Sequence, residues 1–366
     1  MKFKCSRERL LGGLQTVGSV ISTRGMKPVY ESVLILSREG QLQLQGTDLE
    51  VAIRFNLEDD TLVVEEHGSL VVPAARLTAI LKEVDDEDID FTWKEQALSV
   101  ECRGSHFKIN GYPPEEFPEI PDFPGESTMQ LPADVFRHLV AGSAFAAAKE
   151  KMRYALNGVL FFLSGDRLQM VGTDGRRLAH AVATVENPEG AEIKAIVPTK
   201  GINQMARIIS GDEVIDLSMQ DNQLAARTTC AVVVSRLVEG TFPNFEEVIP
   251  VNCERKAVFN REDLVSAVRK ARLLTNKESQ SVRFAFDEGR LTLTARAAEV
   301  GEANVSLDMS YEGEPAAVAF NPGYVLEGLS VMTGETVSFE FRSPTSPAKF
   351  TDGGDFTYVV MPIDIQ

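Results

Sequence analysis

Cysteine, histidine and tryptophan are scarce in these 366 residues: four, four and one. Cys5, Cys102, Cys230 and Cys253 have neither CxxC nor metal-ligand spacing, which argues against a zinc ribbon or a dithiol redox motif. They read as thiols buried as small hydrophobes in a protein of a reducing compartment. His67, His106, His138 and His180 fall in no HExxH or HxH arrangement and beside no recognisable nucleophile motif. No Gly-rich phosphate loop opens a helical stretch, so nucleotide binding has no support. Apolar runs stay short of the ~18 residues that a membrane span needs. Charged Arg7-Glu8-Arg9 follows the start, where a secretory leader would have an apolar core. Basic charge is in deficit too: 37 Lys and Arg against 54 Asp and Glu give a net charge of −17. That is the reverse of the basic footprint of a protein held on nucleic acid by charge. The expectation is a cytoplasmic, non-catalytic protein with no cofactor, no metal and no membrane contact.

What the chain does have is internal repetition. Gly46-Thr47-Asp48 returns as Gly172-Thr173-Asp174, Val71-Val72-Pro73 as Ile196-Val197-Pro198, and Glu116-Phe117-Pro118 as Thr241-Phe242-Pro243. The offset is 125 or 126 residues each time and the order is kept. A fainter third copy opens at Val258-Phe259, as Lys2-Phe3 and Gln130-Leu131 open the others. Val318-Ala319-Phe320-Asn321 stands where the Val-Pro segments stood, and Tyr358-Val359-Val360-Met361 answers to Val232-Val233-Val234-Ser235. A period near 122 residues is too long for a solenoid unit, so each copy is a small domain.

Within a copy, strand-like runs (Val33 to Leu36, Gln41 to Gln45, Val51 to Phe55) are punctuated by Gly40 and Gly46. The strict alternation of Gln41 to Gln45 predicts a half-buried antiparallel strand. Two helical stretches per copy are expected: Arg7 to Ser22, Ala133 to Ala148 and Arg261 to Asn276 open the copies, and Ala74 to Val84, Thr199 to Ser210 and Pro322 to Met332 follow the Val-Pro segments. Leu10, Leu14, Val17 and Ile21 share one face at 3.6-residue spacing, and Pro322 suits a first helical turn. The expected fold is α+β: three tandem similar domains, 1–127, 128–253 and 254–366, each with two helices packed on antiparallel sheet.

Charge is segregated on this plan. The helical windows together carry a formal +8 and the remainder −25. Helix surfaces often collect Lys and Arg; alternatively, paired helices present a weak positive face to a phosphate backbone. Asp48 and Asp174 occupy the same place in two copies, after Gly-Thr at a strand end, which predicts carboxylates that cap local turns. An enzyme using them as a catalytic pair is the competing reading, and a peptide-binding protein that never meets DNA is another. Two further stretches suggest binding: Met152-Arg153-Tyr154-Ala155-Leu156, and the apolar Tyr358 to Ile363.

These residues resemble the bacterial beta sliding clamp family, the beta subunit of DNA polymerase III. The likeness runs from Met1-Lys2-Phe3 to Met361-Pro362 and is most specific at Gly46-Thr47-Asp48-Leu49-Glu50, Arg153-Tyr154 with Leu156-Asn157-Gly158, Thr173-Asp174-Gly175 with Arg177-Leu178, Gly240-Thr241-Phe242-Pro243 and Tyr358-Val359-Val360. The resemblance implies a head-to-tail homodimeric ring whose helices surround double-stranded DNA, tethering the polymerase without catalysis of its own. It places DNA contacts at Arg24, Lys149, Arg153, Tyr154, Lys200 and Arg207. It implies a peptide pocket, for motifs of the polymerase alpha subunit, the clamp-loader delta subunit and other clamp-motif proteins, at Leu156, Thr173, Gly175, Arg176, Arg177, Leu178, Pro243, Val248, Asn321, Tyr324, Thr345, Ser346, Val359, Val360, Met361 and Pro362. Arg176 replaces a frequent family His, and Glu246-Glu247 stand where some members are basic. The implied ring interface sets Phe107 and Ile109 against Leu273 and Leu274, with Glu299 and Glu302 as acidic partners.

Overall fold

A computed structural model describes residues 1–22, 27–38, 40–149, 154–187, 190–209, 214–220, 222–275, 280–297 and 301–364, with Tyr154 described by its backbone alone. The fold is α+β, as expected: six α-helices and antiparallel sheets among the described residues. The helices are α1 (Arg7–Gly18), α2 (Ala74–Glu83), α3 (Ala133–Ala141), α4 (Thr199–Ile208), α5 (Arg261–Arg272) and α6 (Pro322–Val331).

Side-chain caps start three of them. Ser6 accepts from Arg9 N, Asn260 from Glu262 N and Asp263 N, and Asn321 from Gly323 N. In α5, acids in the first turn and Arg269, Lys270 and Arg272 in the last complement the helix dipole. α3 is shorter than its sequence predicts. Gly142 N closes the helix onto the His138 carbonyl at 2.8 Å, and the Ser143 hydroxyl donates to the Leu139 carbonyl at 2.7 Å. The chain then turns into a short 3-10 helix, Ala144–Ala146, where a continued α-helix was expected.

The chain forms two compact units, one of Met1–Asp134 with Lys200–Leu237 and one of Val135–Thr199 with Val238–Gln366. The middle repeat is shared between them because strands pair across repeats. In the first unit, Ala231–Arg236 of the middle copy pairs with Val51–Leu57 of the first, within an eight-stranded sheet. In the second, Phe356–Val360 pairs with Arg177–Thr184 within a nine-stranded sheet. A five-stranded and a four-stranded sheet complete the first and second unit respectively.

The glycines of the repeated Gly-Thr-Asp are explained by close backbone approach. A Cβ on Gly46 would lie 2.8 Å from the Val17 carbonyl oxygen, and one on Gly172 only 2.1 Å from that of Ser143. The core of the second unit is aromatic: Phe286 stacks on Phe339 at 5.2 Å and Phe339 meets Phe350 edge-on at 4.6 Å.

Two expectations need correction. Gln45 does not face solvent; it is buried, and its amide donates to Gln43 Oε1 at 2.7 Å while Gln43 donates to Asn56 at 2.8 Å, so the polar group is satisfied. Of the cysteines only Cys5 is buried; Cys102, Cys230 and Cys253 are partly exposed, and all four are thiols rather than disulfides. Burial pushes the Cys5, Cys102 and Cys253 thiols up, away from reactivity.

Candidate functional site

The site begins with a turn that occurs twice. In the second unit Thr173 Oγ1 donates to the Arg177 carbonyl at 2.6 Å and accepts from Gly175 N at 3.1 Å. Asp174 Oδ1 accepts from the backbone of Arg176 and Arg177 at 2.9 and 3.1 Å. In the first unit Thr47 and Asp48 make the same four bonds with Leu49, Glu50 and Val51. Each carboxylate is thus occupied by its own turn, which answers the catalytic-pair reading of Asp48 and Asp174. Gly175 has φ +84°, the left-handed region that glycine enters without strain.

This turn carries Arg177 and Leu178 into a cleft of about 200 Å³. Its lining is Leu156, Thr173, Gly175, Arg177, Leu178, Pro243, Phe245, Val248, Val359 and Met361, all within the second unit. The floor is fixed by sheet register, Leu178 opposite Val359, over a buried cluster of Leu160, Val171, Ile196, Phe242 and Phe245. Met361 N donates to the Arg176 carbonyl at 2.8 Å, which holds the methionine at the rim. Val248 and Met361 remain exposed although apolar.

A wider cleft of about 800 Å³ shares Leu156, Gly175 and Arg177 and adds Ala147, Ala148, Lys149, Asp174, Arg176, Tyr324 and Glu327. Arg177 joins the two. Its guanidinium is almost wholly buried, bonded to Asp174 Oδ2 at 3.1 Å, to the Phe145 carbonyl at 3.0 Å and to Glu327, and it stacks over Tyr324 at 4.5 Å. Burial opposes its charge, yet the Glu327 bond and the neighbouring groups leave its pKa raised, so it stays a cation. His180 packs on Phe245 beneath the cleft and bonds Gln169 at 2.9 Å. Burial, helped by the charge of Arg167, pulls its pKa down to about 4, so it is neutral at neutral pH.

Of the sequence-derived pocket residues, eleven line these clefts: Leu156, Thr173, Gly175, Arg176, Arg177, Leu178, Pro243, Val248, Tyr324, Val359 and Met361. Val360 is fully buried in the sheet and Asn321 serves α6 as its cap. Thr345 and Ser346 build a turn around Ser343, and Pro362 is partly exposed; none of these five lines either cleft. Phe245 and Glu327 are additions. Phe245 could have been found, since the Pro118–Pro243 match aligns it with Ile120; Glu327 is the lone acid of a helix with no basic residue.

Among the expected DNA contacts, Lys149 and Arg207 are exposed. Lys200 bonds Asp48 and the Val20 carbonyl, the latter at 3.2 Å. Arg24, Arg153 and the side chain of Tyr154 lie outside the described residues, as does Glu299. Among the described residues, Arg9, Arg76, Lys82, Arg269, Lys270 and Arg272 are further exposed helix cations. No described group of three or more His, Cys, Asp or Glu could hold a metal, and no described helix is long and apolar enough to cross a membrane.

An apolar cleft with a few fixed polar groups, beside carboxylates that each cap their own turn, has the makeup of a binding site. Comparison with known proteins agrees. Residues 1–121, 130–244 and 246–364 match the N-terminal, central and C-terminal domains of the DNA polymerase III beta subunit. The beta sliding clamp of Pseudomonas putida is 34% identical over 369 residues, covering 99% of this chain and all of the relative. The crystal structure of the DNA polymerase III subunit beta from Pseudomonas aeruginosa superposes with a TM-score of 0.93 at 32% identity, over the whole of both chains. The clamp of Bacillus subtilis, 22% identical, shares the fold with a TM-score of 0.96 over the whole of both chains. The chain belongs to the DNA polymerase III beta subunit family. It is a sliding clamp: a processivity factor of DNA replication, accessory to the polymerase and without catalysis of its own.

Proposed function

We propose that two copies of this chain close head to tail into a ring around duplex DNA, in the cytoplasm, and that the cleft around Leu178 takes up linear motifs from replication proteins. The partners are the polymerase III alpha subunit, the clamp-loader delta subunit and other clamp-motif proteins. The observation that carries the docking reading is the cleft itself: a rigid apolar floor of Leu178 and Val359 with exposed Met361 and Val248 at its lip. Such a site suits disordered tails that order on binding and exchange for one another.

Ring closure is supported by two strands that end their sheets, Ser105–Asn110 in the first unit and Gly301–Asp308 in the second. An unpaired edge is a template for pairing with another chain. Leu273, at the C-terminus of α5, is 78% exposed, as a leucine awaiting a partner surface would be. Phe107 is half-buried and available to it, while Ile109 is 7% exposed and packs mainly within its own protomer, so Phe107 is the stronger anchor of that pair. Leu274 adds partly buried surface next to Leu273. Glu302 bonds Arg296 at 3.2 Å and Asn304 at 3.0 Å in its own sheet, which makes it a poorer candidate for a cross-interface partner.

Lys149, Lys200 and Arg207, with Arg24, Arg153 and Tyr154, supply the proposed DNA contacts, and the other helix cations add to them. Phosphate contacts of this kind position the duplex without reading its sequence. Lys200 contributes less than its charge implies, because Asp48 already neutralises it. The repeat boundaries at 127/128 and 253/254 are proposed as the limits of the three clamp domains. Retention on DNA tests the ring: after loading, the protein should persist on closed circles and run off the same DNA once it is cut. Equal loss from circular and linear DNA would overturn topological holding.

A further inference from the structure

The repeated turn has a second cleft behind it. In the first unit Ala52 and Val234 face each other in the register that Leu178 and Val359 hold in the second, so strand pairing matches Val359 to Val234, one residue on from the Val233 that the repeat match gives, and Pro118 takes the place of Pro243. The buried clusters beneath correspond as well: Val71 with Ile196, Phe117 with Phe242 and Ile120 with Phe245. The groove so formed has a volume of about 110 Å³.

Its lining differs from that of the Leu178 cleft in shape and in charge. The floor loses a leucine to Ala52, and the lip gains one, because Leu49 stands where Gly175 stood. Leu49 has φ +77°, in the left-handed region, and is 43% exposed. The Thr47-Asp48 turn sets this φ, as its counterpart sets that of Gly175, and a leucine at that position holds an aliphatic side chain at the lip of the open groove. The charge of the rim is also reversed. Glu50 replaces Arg176, and Glu119 is exposed beside it, neither carboxylate forming an ion pair among the described residues. Arg54, whose charge Glu119 favours, is committed to Asp122 and to the Ile120 carbonyl. Arg236 is the one cation in the lining, which leaves a net negative rim.

We propose that this groove is a second peptide-docking site, for an extended segment that carries one aliphatic side chain flanked by lysine or arginine. The aliphatic group enters between Leu49 and Val234, and the flanking cations meet Glu50 and Glu119. The mode of binding rests by analogy on the peptide-docking reading of the Leu178 cleft, but the groove's own occupancy does not require that cleft to function.

Methyl NMR of the full chain, titrated with a blocked Gly-Lys-Leu-Arg-Gly peptide, tests it. Saturable shifts at Leu49, Ala52 and Val234 are expected, and they should persist in a Met361→Arg chain, whose added cation at the rim repels the basic peptide from the Leu178 cleft. Glu50→Arg with Glu119→Arg should weaken that peptide by about tenfold or more and favour a Gly-Glu-Leu-Glu-Gly peptide instead. Both substituted side chains are exposed, so the fold is retained. Saturation confined to Leu178 and Val359, no saturable shift at all, or indifference to the charge reversal would each overturn the proposal. Loss of binding to the Leu178 cleft alone would count against the clamp-motif reading and leave this one standing.

Discussion

The ring of Tyr358 lies so close over Gly328 of α6 that a Cβ there would fall 2.2 Å from Tyr358 Cδ1. The tyrosine is fully buried, its hydroxyl donating to the Tyr324 carbonyl at 2.9 Å, so it has nowhere to retreat. Helix α6 and the strand Phe356–Val360 are therefore fitted to each other through a single missing side chain. Gly328→Ala should destabilise the second unit by about 3 kcal/mol, the upper range for overpacking, despite alanine's better helix propensity. Urea unfolding followed by tyrosine fluorescence measures it; an unchanged midpoint would show that the tyrosine can shift.

The two glycines of the Thr173 turn should respond differently. Gly175→Ala meets no atom within 4 Å and costs only the left-handed conformation, about 1 kcal/mol. Gly172→Ala drives a methyl into the Ser143 carbonyl and should cost several times more, on the order of 3 kcal/mol. Thermal melts of the pair would read the ranking directly, and equal losses would refute the close-approach explanation of the repeated glycine.

Glu327→Ala removes one partner of Arg177 but leaves Asp174 and the Phe145 carbonyl in place. Because Glu327 is half-exposed, the stability loss should stay near ~1 kcal/mol. The larger effect belongs to the cleft, where a guanidinium released from Glu327 becomes available to an acidic ligand. Calorimetric titration with an acidic clamp-motif peptide should then show tighter binding at low salt; weaker binding would mean that Glu327 chiefly holds Arg177 in position.

His180 makes stability depend on pH. Its folded pKa of about 4 lies below the unfolded value of about 6.5, so as pH falls through that window the unfolded chain binds the proton first. Stability present above about pH 6.5 is lost progressively towards about pH 4, by up to roughly 3 kcal/mol. His180→Gln keeps a hydrogen-bonding group beside Gln169 and should flatten the profile. A wild-type profile already flat between those limits would contradict the burial argument.

Charge at the proposed ring contact should break it. Leu273→Asp with Leu274→Asp places carboxylates on surface that is already exposed or nearly so, leaving the protomer folded while shifting sizing profiles from dimer to monomer. An oligomer of unchanged size would exclude this surface as the interface.

Much of this molecule can be read from residue order, because three copies repeat the same local physics. Gly46-Thr47-Asp48 and Gly172-Thr173-Asp174 encode a close approach, a hydroxyl bridge and a carboxylate cap within three residues, and their spacing locates both clefts. The composition of each copy also announces two helices and alternating strands. What residue order conceals is long-range. The end of α3 depends on how Ser143 and Gly142 meet their own helix, and Gln45 is buried because Gln43 and Asn56 complete its bonds. That the middle copy divides between two units follows from strand pairs linking residues about 180 positions apart, which no local pattern records.

Those cross-repeat strands also bear on how the protein is made. Phe356–Val360 is the fifth of nine strands in its sheet, with Arg177–Thr184 on one side and Ala348–Thr351 on the other. A ribosome that has delivered every residue up to Asp355 has therefore delivered a sheet with its middle missing, and the floor of the Leu178 cleft with it. Non-local pairing of this kind closes slowly and leaves strand edges open meanwhile. The Leu178 cleft is consequently among the last features of the chain to exist, complete only in a clamp whose second unit has finished folding.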